Sequence, residues 1–105
     1  MPIFKSSLTI QSSMAEKDAK WWETADDHRF ALEVLQLKLR REILKFIANS
    51  PRKEEEIIEN FSLNDGLARY HLDLLEKALV VERKGTFYLS TSTGNLYLNN
   101  VENKQ

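Results

Sequence analysis

The sequence contains no cysteine, and that absence excludes several kinds of site. Without a thiol among its 105 residues, disulfides, thiolate zinc sites, iron–sulfur clusters and thiol redox sensing are all ruled out. Only two histidines are present, and there is no glycine-rich phosphate loop and no nucleophile with a base at usable spacing. We therefore expect neither an enzyme nor a metal or cofactor site.

The chain also lacks a long hydrophobic run and a strong excess of one charge. No apolar stretch is long enough to span a bilayer, and the N-terminus lacks the basic and then apolar regions of a secretory signal. A cytoplasmic protein that does not contact a membrane is the default expectation. The net charge of −1 argues mildly against a large phosphate-binding surface, because many nucleic-acid binders are strongly basic.

The residues that are present fit one small globular domain. Hydrophobic residues make up 42% and charged residues 30% of the chain, which allows a single small core. Residues 1–14 show no helical period, and this predicts a flexible arm or leader. We expect the folded domain to span residues 15–101 and to be followed by a frayed tail at residues 102–105.

The spacing of apolar residues predicts four helices before residue 80. The first begins near Thr24 or Asp26. The second spans residues 37–49, and the third spans residues 51–61 with a proline in its first turn. The fourth spans residues 64–79, opens on an asparagine cap and carries a stripe of leucines.

After the fourth helix the apolar period becomes strand-like. Residues 80–90 predict a β-hairpin with its turn at Lys84–Gly85. A short closing helix is expected to carry Leu96, Tyr97, Leu98 and Val101. The expected fold class is therefore mainly α with a small β-hairpin, an α+β arrangement.

The element order is helix, helix, acidic helix, tight turn, amphipathic helix and hairpin, which is that of a winged helix–turn–helix. The informative residues are Arg40 or Arg41 with Ile43 and Leu44, the acidic helix from Glu55 to Phe61, and then Leu63, Asn64, Ala68, Arg69, His71, Leu72, Leu75, Ala78 and Leu79–Val80. With these residues, positions 37–90 resemble the winged helix–turn–helix of the ArsR-like bacterial and archaeal transcriptional regulators. Two features depart from the family pattern: Ala78–Leu79 stands where Ala-Gly-Leu is usual, and Asp65 and Gly66 stand where small hydroxyl or amide residues are typical.

The resemblance implies that the fourth helix reads the major groove of duplex DNA with its first residues at base edges. Arg69 would donate to guanine or anchor a phosphate, and Tyr70 would touch a phosphate or a thymine methyl. Gly66 would let the backbone approach closely. The full candidate set is Asn64, Asp65, Gly66, Arg69 and Tyr70 in the recognition helix (about 64–79), Arg83 and Lys84 in the wing (about 80–90), and Arg52 and Lys53 at a helix N-terminus.

Ordinary structural roles are open to the same residues. Arg69 on a solvated helix face is a common surface arginine, and Asn64 is a natural helix cap. His71 lies at the edge of the leucine stripe, where we expect a packed, hydrogen-bonded histidine. His28 follows two aspartates, and we expect this group to open a helix and not to bind a metal.

The charge of the candidate recognition helix supports an alternative function. Between residues 64 and 73, Arg69 stands against Asp65 and Asp73, and phosphate neutralisation needs cations. The alternative is a protein–protein interaction module on the same fold. A homodimer would favour DNA binding, because two copies double a modest basic surface. The expected dimer interface is the N-terminal helix with Trp21, Trp22, Phe30 and Val34, together with the C-terminal segment.

Overall fold

Five helices and three short strands follow one another through residues 21–102, the part of the chain that the computed structural model describes. The expected arm at residues 1–14 and the end of the expected tail lie outside this range. The strands form one antiparallel sheet in the order β1-β3-β2. The elements are α1 (Ala25–Val34), α2 (Lys38–Asn49), β1 (Arg52–Lys53), α3 (Glu54–Phe61), α4 (Asp65–Lys77), β2 (Val81–Lys84), β3 (Phe87–Ser90) and α5 (Ser92–Glu102).

The core lies where α2, α3 and α4 meet the sheet. The apolar residues of each helix recur at three- and four-residue spacing, so each helix turns one stripe inward. Burying such a side chain stabilises the fold by about 1.5–3 kcal/mol relative to leaving it in water. The largest fully buried side chains are Leu35, Ile43, Leu44, Ile47, Ile57, Leu72, Leu75, Val80 and Tyr88.

The first helix is capped at both ends by side chains. The hydroxyl of Thr24 accepts a hydrogen bond from the backbone N–H of Asp27 at 3.0 Å, so one of the two predicted caps is the observed one. At the other end, Arg40 donates to the carbonyl of Val34, and Arg41 donates to the carbonyl of Leu35 at 2.8 Å. Two arginines of α2 therefore satisfy carbonyls that end α1, where positive charge also favours the helix dipole.

The predicted start of the third helix, at Pro51, is wrong. The helix begins at Glu54, and Arg52 and Lys53 form the edge strand β1, opposite Tyr88 and Phe87 of β3. A two-residue strand has no periodicity that a sequence pattern can show. It is defined by backbone pairing with residues more than thirty positions later, and that pairing holds the chain extended for two residues before the helix begins.

The end of α4 takes the shape of a glycine-terminated helix without a glycine. Leu79 has φ +68°, its N–H donates to the carbonyl of Glu76 at 2.9 Å, and the N–H of Val80 donates to the carbonyl of Leu75 at 3.2 Å. These two bonds define a Schellman motif, whose left-handed position is usually glycine. Leu79 therefore adopts a backbone conformation that glycine takes without strain, at a cost of about 1–2 kcal/mol.

Distant side chains hold the carbonyls at this helix end. Trp22 Nε1 donates to the carbonyl of Ala78 at 2.7 Å, and Thr91 Oγ1 donates to the carbonyl of Leu79 at 2.7 Å. The chain before α1 and the chain entering α5 thus meet at the end of α4. Trp22, which the sequence assigned to a dimer interface, is buried within one chain.

The hairpin and the closing helix agree with the predicted elements, with one shift. Lys84 pairs with Phe87, so the two loop residues are Gly85, at φ +62°, and Thr86. The turn therefore lies one residue later than Lys84–Gly85, and its positive φ is one that glycine adopts without strain. In α5, a Cβ on Gly94 would collide with the carbonyl of Val80, so this helix packs directly against backbone.

Candidate nucleic-acid interface

The exposed side of α4 carries most of the predicted recognition residues. Asp65, Gly66, Arg69 and Tyr70 are exposed, and Ala68, His71, Leu72 and Leu75 on the opposite side are buried. The two sides follow from the helical period of the sequence. Because the buried stripe packs on the core, the four exposed residues form one surface that a partner can reach.

Asn64 is the N-cap residue of α4, which confirms the helix-capping role predicted for it. Its side-chain oxygen accepts a hydrogen bond from the backbone N–H of Leu67 at 2.7 Å. The preceding turn, which separates α3 from α4, is closed by Ser62 at φ +56° and by the N–H of Leu63 donating to the carbonyl of Ile58 at 3.0 Å. These contacts fix the angle at which α4 leaves α3, and so the direction that its first turn faces.

Gly66 has no reason inside the fold to be glycine. Its φ is not in the left-handed region, and the nearest atom to an added Cβ would be the side-chain oxygen of Asn64 at 3.7 Å, an ordinary contact. In a helix, alanine is favoured over glycine by about 1 kcal/mol. The structure therefore tolerates alanine here, and the absence of a side chain leaves the backbone of the first turn open to an approaching surface.

Arg69 is held by an acidic residue of the preceding helix. Its Nη2 donates to Oε1 of Glu54 at 2.8 Å, and the Arg69 side chain remains 52% exposed against 23% for Glu54. The hydrogen bond and the charge of Glu54, with a smaller contribution from nearby Tyr88, raise the pKa of Arg69 above its ordinary value. Arg69 is therefore tethered at the junction of α3 and α4. Sequence reasoning missed Glu54, because fifteen residues separate the pair.

The wing meets this junction at a small polar cavity of about 160 Å³. Glu54 and Glu55 line it from α3, and Arg83, Gly85, Thr86 and Tyr88 line it from the hairpin. The guanidinium of Arg83 lies 5.8 Å from the ring centroid of Tyr88. Arg83 thus lines the same cavity as Glu54, the residue that pairs with Arg69.

The face of the sheet opposite to Arg83 and Tyr88 carries two lysines beside an aromatic ring. Lys53 and Lys84 both pair with Phe87, one from each side, and directly opposed residues in a sheet point to the same face. The ammonium of Lys53 lies 5.6 Å from the centroid of Phe87. Lys53 and Lys84 are both exposed, so the structure brings together two cations that were predicted in separate elements.

Arg52 does not share this position. It lies in β1, directly before Lys53, which is the N-cap residue of α3. Its Nε donates to the carbonyl of Phe46 at 3.0 Å, and its guanidinium lies 3.7 Å from the Phe46 ring centroid. This half-buried side chain joins the strand to the end of α2, and such a stacked, hydrogen-bonded arginine holds its own fold together.

A second cluster joins α2 to the exposed side of α4. Arg40 Nε donates to Nδ1 of buried His71 at 3.1 Å, and the Arg40 guanidinium also lies 5.7 Å from the ring centroid of Tyr70. Burial, and then the positive charge of Arg40, lower the pKa of His71. The prediction of a packed, hydrogen-bonded His71 is confirmed. The role of Arg40, which orders both His71 and Tyr70, was not visible in the sequence.

The predicted dimer residues separate into two groups. Trp22 and Val34 are buried in the core of a single chain and have little surface left for a partner. Phe30 and Leu32 of α1 are exposed, and Trp21 is half-buried with its Nε1 donating to Nε2 of His28 at 3.3 Å. Of the four residues that the sequence assigned to the interface, Phe30 is therefore exposed and Trp21 half-buried, and the other two are core residues.

Two further properties concern only residues 21–102. None of the described helices is long and apolar enough to cross a membrane. Within the same residues there is no group of three or more histidine, aspartate and glutamate side chains placed to hold a metal ion.

The described elements define a winged helix–turn–helix, with α3 and α4 as the helix pair and β2–β3 as the wing. Residues 38–83 match the family described as "Bacterial regulatory protein, arsR family", which confirms the predicted resemblance over this segment.

Among solved structures, the chain is similar to the homodimeric winged helix–turn–helix DNA-binding domain of a Mycobacterium bovis protein described as a possible ArsR-family transcriptional regulator. The TM-score is 0.65 at 22% identity, over 89% of this chain and 90% of the other. At that identity the likeness establishes the fold. A comparison with curated proteins finds no match.

Proposed function

We propose that this protein is a homodimeric transcriptional regulator that binds duplex DNA, with α4 in the major groove and the β2–β3 wing on the adjacent backbone. The observation that carries the proposal is the exposed first half of α4, where Gly66, Arg69 and Tyr70 share one surface beside a basic wing. The arsR-family match over residues 38–83 and the DNA-binding description of the similar M. bovis domain support it.

Each residue has a separate role in this proposal. Arg69 donates to a guanine edge or to a phosphate, and an arginine–guanine pair discriminates against the wrong base by about 1–3 kcal/mol. Tyr70, which is 54% exposed, contacts a phosphate or a thymine methyl. Gly66 admits the DNA backbone close to the helix, and Asp65 and Asn64 begin the helix at the groove. Lys53, Arg83 and Lys84 contact phosphates.

The dimer is part of the proposal because one chain offers few cations. Beside the recognition helix, Lys53, Arg83 and Lys84 are accompanied by Glu54 and Glu55, so one chain is not strongly basic. Two chains would contact two half-sites and double the phosphate contacts. We place the interface on α1, where Phe30 and Leu32 are exposed, and on the C-terminal α5. A monomeric sedimentation profile at DNA-binding concentrations would contradict this part.

The experiment that tests the function begins with selection of a preferred duplex from a random pool, followed by binding measurements on variants. Arg69→Ala is expected to weaken binding to the selected duplex by about 1–3 kcal/mol. Arg29→Ala is the matched control, because Arg29 is also an exposed arginine in a single ion pair, with Asp26 at 3.2 Å. Equal affinities for the two variants would remove Arg69 from the site.

A protein-binding role is the second candidate, and one observation favours it. Leu67 and Tyr70 expose apolar surface on α4 between acidic residues, a mixture that suits a protein partner as well as a DNA groove. The selection distinguishes the two. If no duplex is enriched and Tyr70→Ala abolishes capture of a defined protein partner, the recognition helix binds protein.

A further inference from the structure

The ion pair between Glu54 and Arg69 spans the two helices of the helix–turn–helix. Glu54 is the first residue of α3, Arg69 lies in the second turn of α4, and the contact between Oε1 and Nη2 is 2.8 Å. Arg69 is half exposed to solvent, which screens its charge, so a gain in folding energy is a weak reason for this ion pair. Its position, beneath the residue proposed to contact DNA, suggests a different role.

Glu54 is well placed to hold another side chain still. It is three-quarters buried, and the backbone just before it is pinned twice. The N–H of Lys53 donates to the carboxylate of Glu56 at 2.8 Å, and Lys53 pairs with Phe87 in the sheet. The carboxylate therefore projects from a fixed point. By contrast, Arg69 has a long side chain that is half exposed, and such a side chain loses much rotamer freedom when a contact orders it.

The contact leaves the guanidinium able to read a base. Guanidinium has five N–H donors in a planar fork, and the contact with Glu54 uses Nη2 alone. The remaining donors can reach the two acceptors of a guanine edge. We propose that Glu54 is a positioning residue, which orders Arg69 before DNA arrives and so sharpens its choice of base. This inference rests on the proposed DNA-binding function.

The carboxylate of Glu54 should also weaken DNA binding, and this effect distinguishes the proposal from a purely structural role. A negative charge next to the DNA backbone repels phosphates, so Glu54 lowers the affinity for any duplex. Removing it is expected to change two quantities in opposite directions: affinity for random DNA rises, and preference for the selected sequence falls. A carboxylate that served only the fold would not separate the two.

Three variants of the full chain separate position from charge. Glu54→Ala removes both the charge and the hydrogen-bond acceptor, and Glu55→Ala removes the same charge from the next residue of the helix. Glu54→Gln removes the charge but keeps an acceptor of equal length. Each variant is titrated with the selected duplex and with a random-sequence duplex. The ratio of the two dissociation constants is the measure of selectivity.

We expect Glu54→Ala to lower that ratio about 10-fold, which corresponds to about 1.4 kcal/mol. Glu55→Ala is expected to leave it unchanged, and both variants should bind the random duplex roughly two-fold more tightly. Glu54→Gln should recover part of the selectivity while keeping the gain in random binding. If Glu54→Ala and Glu55→Ala change both duplexes equally, Glu54 only repels phosphate and the positioning role is overturned.

A measurement without DNA separates this inference from the function on which it rests. ¹⁵N relaxation of the Arg69 side-chain Nε–H reports how ordered the guanidinium is on the fast timescale. In the free protein, Glu54→Ala should lower that order and Glu55→Ala should not. If Glu54→Ala lowers the order of the Arg69 side chain and the wild-type protein binds no duplex, the ordering of Arg69 by Glu54 is supported and DNA binding is overturned. Unchanged order in Glu54→Ala would overturn the positioning role even if DNA binds.

Discussion

Leucine in a left-handed position at the end of α4 leads to a prediction that reverses the usual ranking of alanine and glycine. Leu79 has φ +68°, a conformation in which any Cβ approaches the following carbonyl oxygen. We expect Leu79→Gly to be more stable than Leu79→Ala. The comparison between these two variants is sharper than either against the parent, because both lose whatever the half-exposed leucine side chain contributes.

The size of the effect follows from two opposing terms. Removing the Cβ relieves about 1–2 kcal/mol of backbone strain. Glycine has greater conformational freedom than alanine in the unfolded chain, and this lowers the free energy of unfolding by about 0.5–1 kcal/mol. The net advantage of glycine over alanine is therefore about 1 kcal/mol. The hydrogen bonds that close the helix, from the N–H groups of residues 79 and 80, are available to both variants.

The assay is urea unfolding followed by circular dichroism, with Gly66→Ala as the internal contrast. Residue 66 lies inside α4 without a positive φ, so there alanine should be favoured over glycine by about 1 kcal/mol. In thermal unfolding, 1 kcal/mol corresponds to about 4–8 °C for a domain of this size. The reasoning is refuted if alanine equals or exceeds glycine at residue 79 as it does at residue 66.

Two further predictions concern packing and pH. Gly94→Ala should lower the free energy of unfolding by about 1–3 kcal/mol, because its Cβ would collide with the carbonyl of Val80; an unchanged urea midpoint would show that α5 can shift away. His71 has a lowered pKa in the folded chain, so below the ordinary value of 6.5 the unfolded chain binds a proton that the folded chain does not. The free energy of unfolding should therefore be steady above that pH and fall below it, by at most about 1.4 kcal/mol per pH unit. The measurement is urea unfolding between pH 7.5 and 5.5, about one unit to either side of the usual histidine pKa. His71→Gln should make this fall smaller.

The elements that could be predicted are those whose signal is local. α4 is the clearest case, since its leucine stripe marks the buried side and its asparagine cap marks the start, and both are observed. The hairpin also followed from alternation and a glycine turn. β1 could not be predicted, because two residues carry no period and their strand state depends on pairing with β3. The start of α3 was misplaced for the same reason.

The sequence could predict which residues belong to the candidate site, but it could not predict how their side chains contact one another. The exposed side of α4 follows from its period, but the pairing of Arg69 with Glu54 depends on the angle between two helices. Arg52 shows the converse, because a basic residue near a helix start is here bonded to the end of α2. Likewise an apolar pattern cannot tell a core residue from an interface residue, and Val34 proved to be core.

The measurement that tests the central claim most directly is fluorescence anisotropy of a labelled random-sequence duplex, titrated with the wild-type protein at several salt concentrations. If Lys53, Arg83 and Lys84 of each chain contact phosphates in a dimer, the logarithm of the binding constant should fall against the logarithm of salt with a slope of about −5. Binding that weakens in this way is the predicted result. No binding at about 100 µM protein in low salt, where non-specific DNA binders are already bound, would contradict DNA binding by this chain.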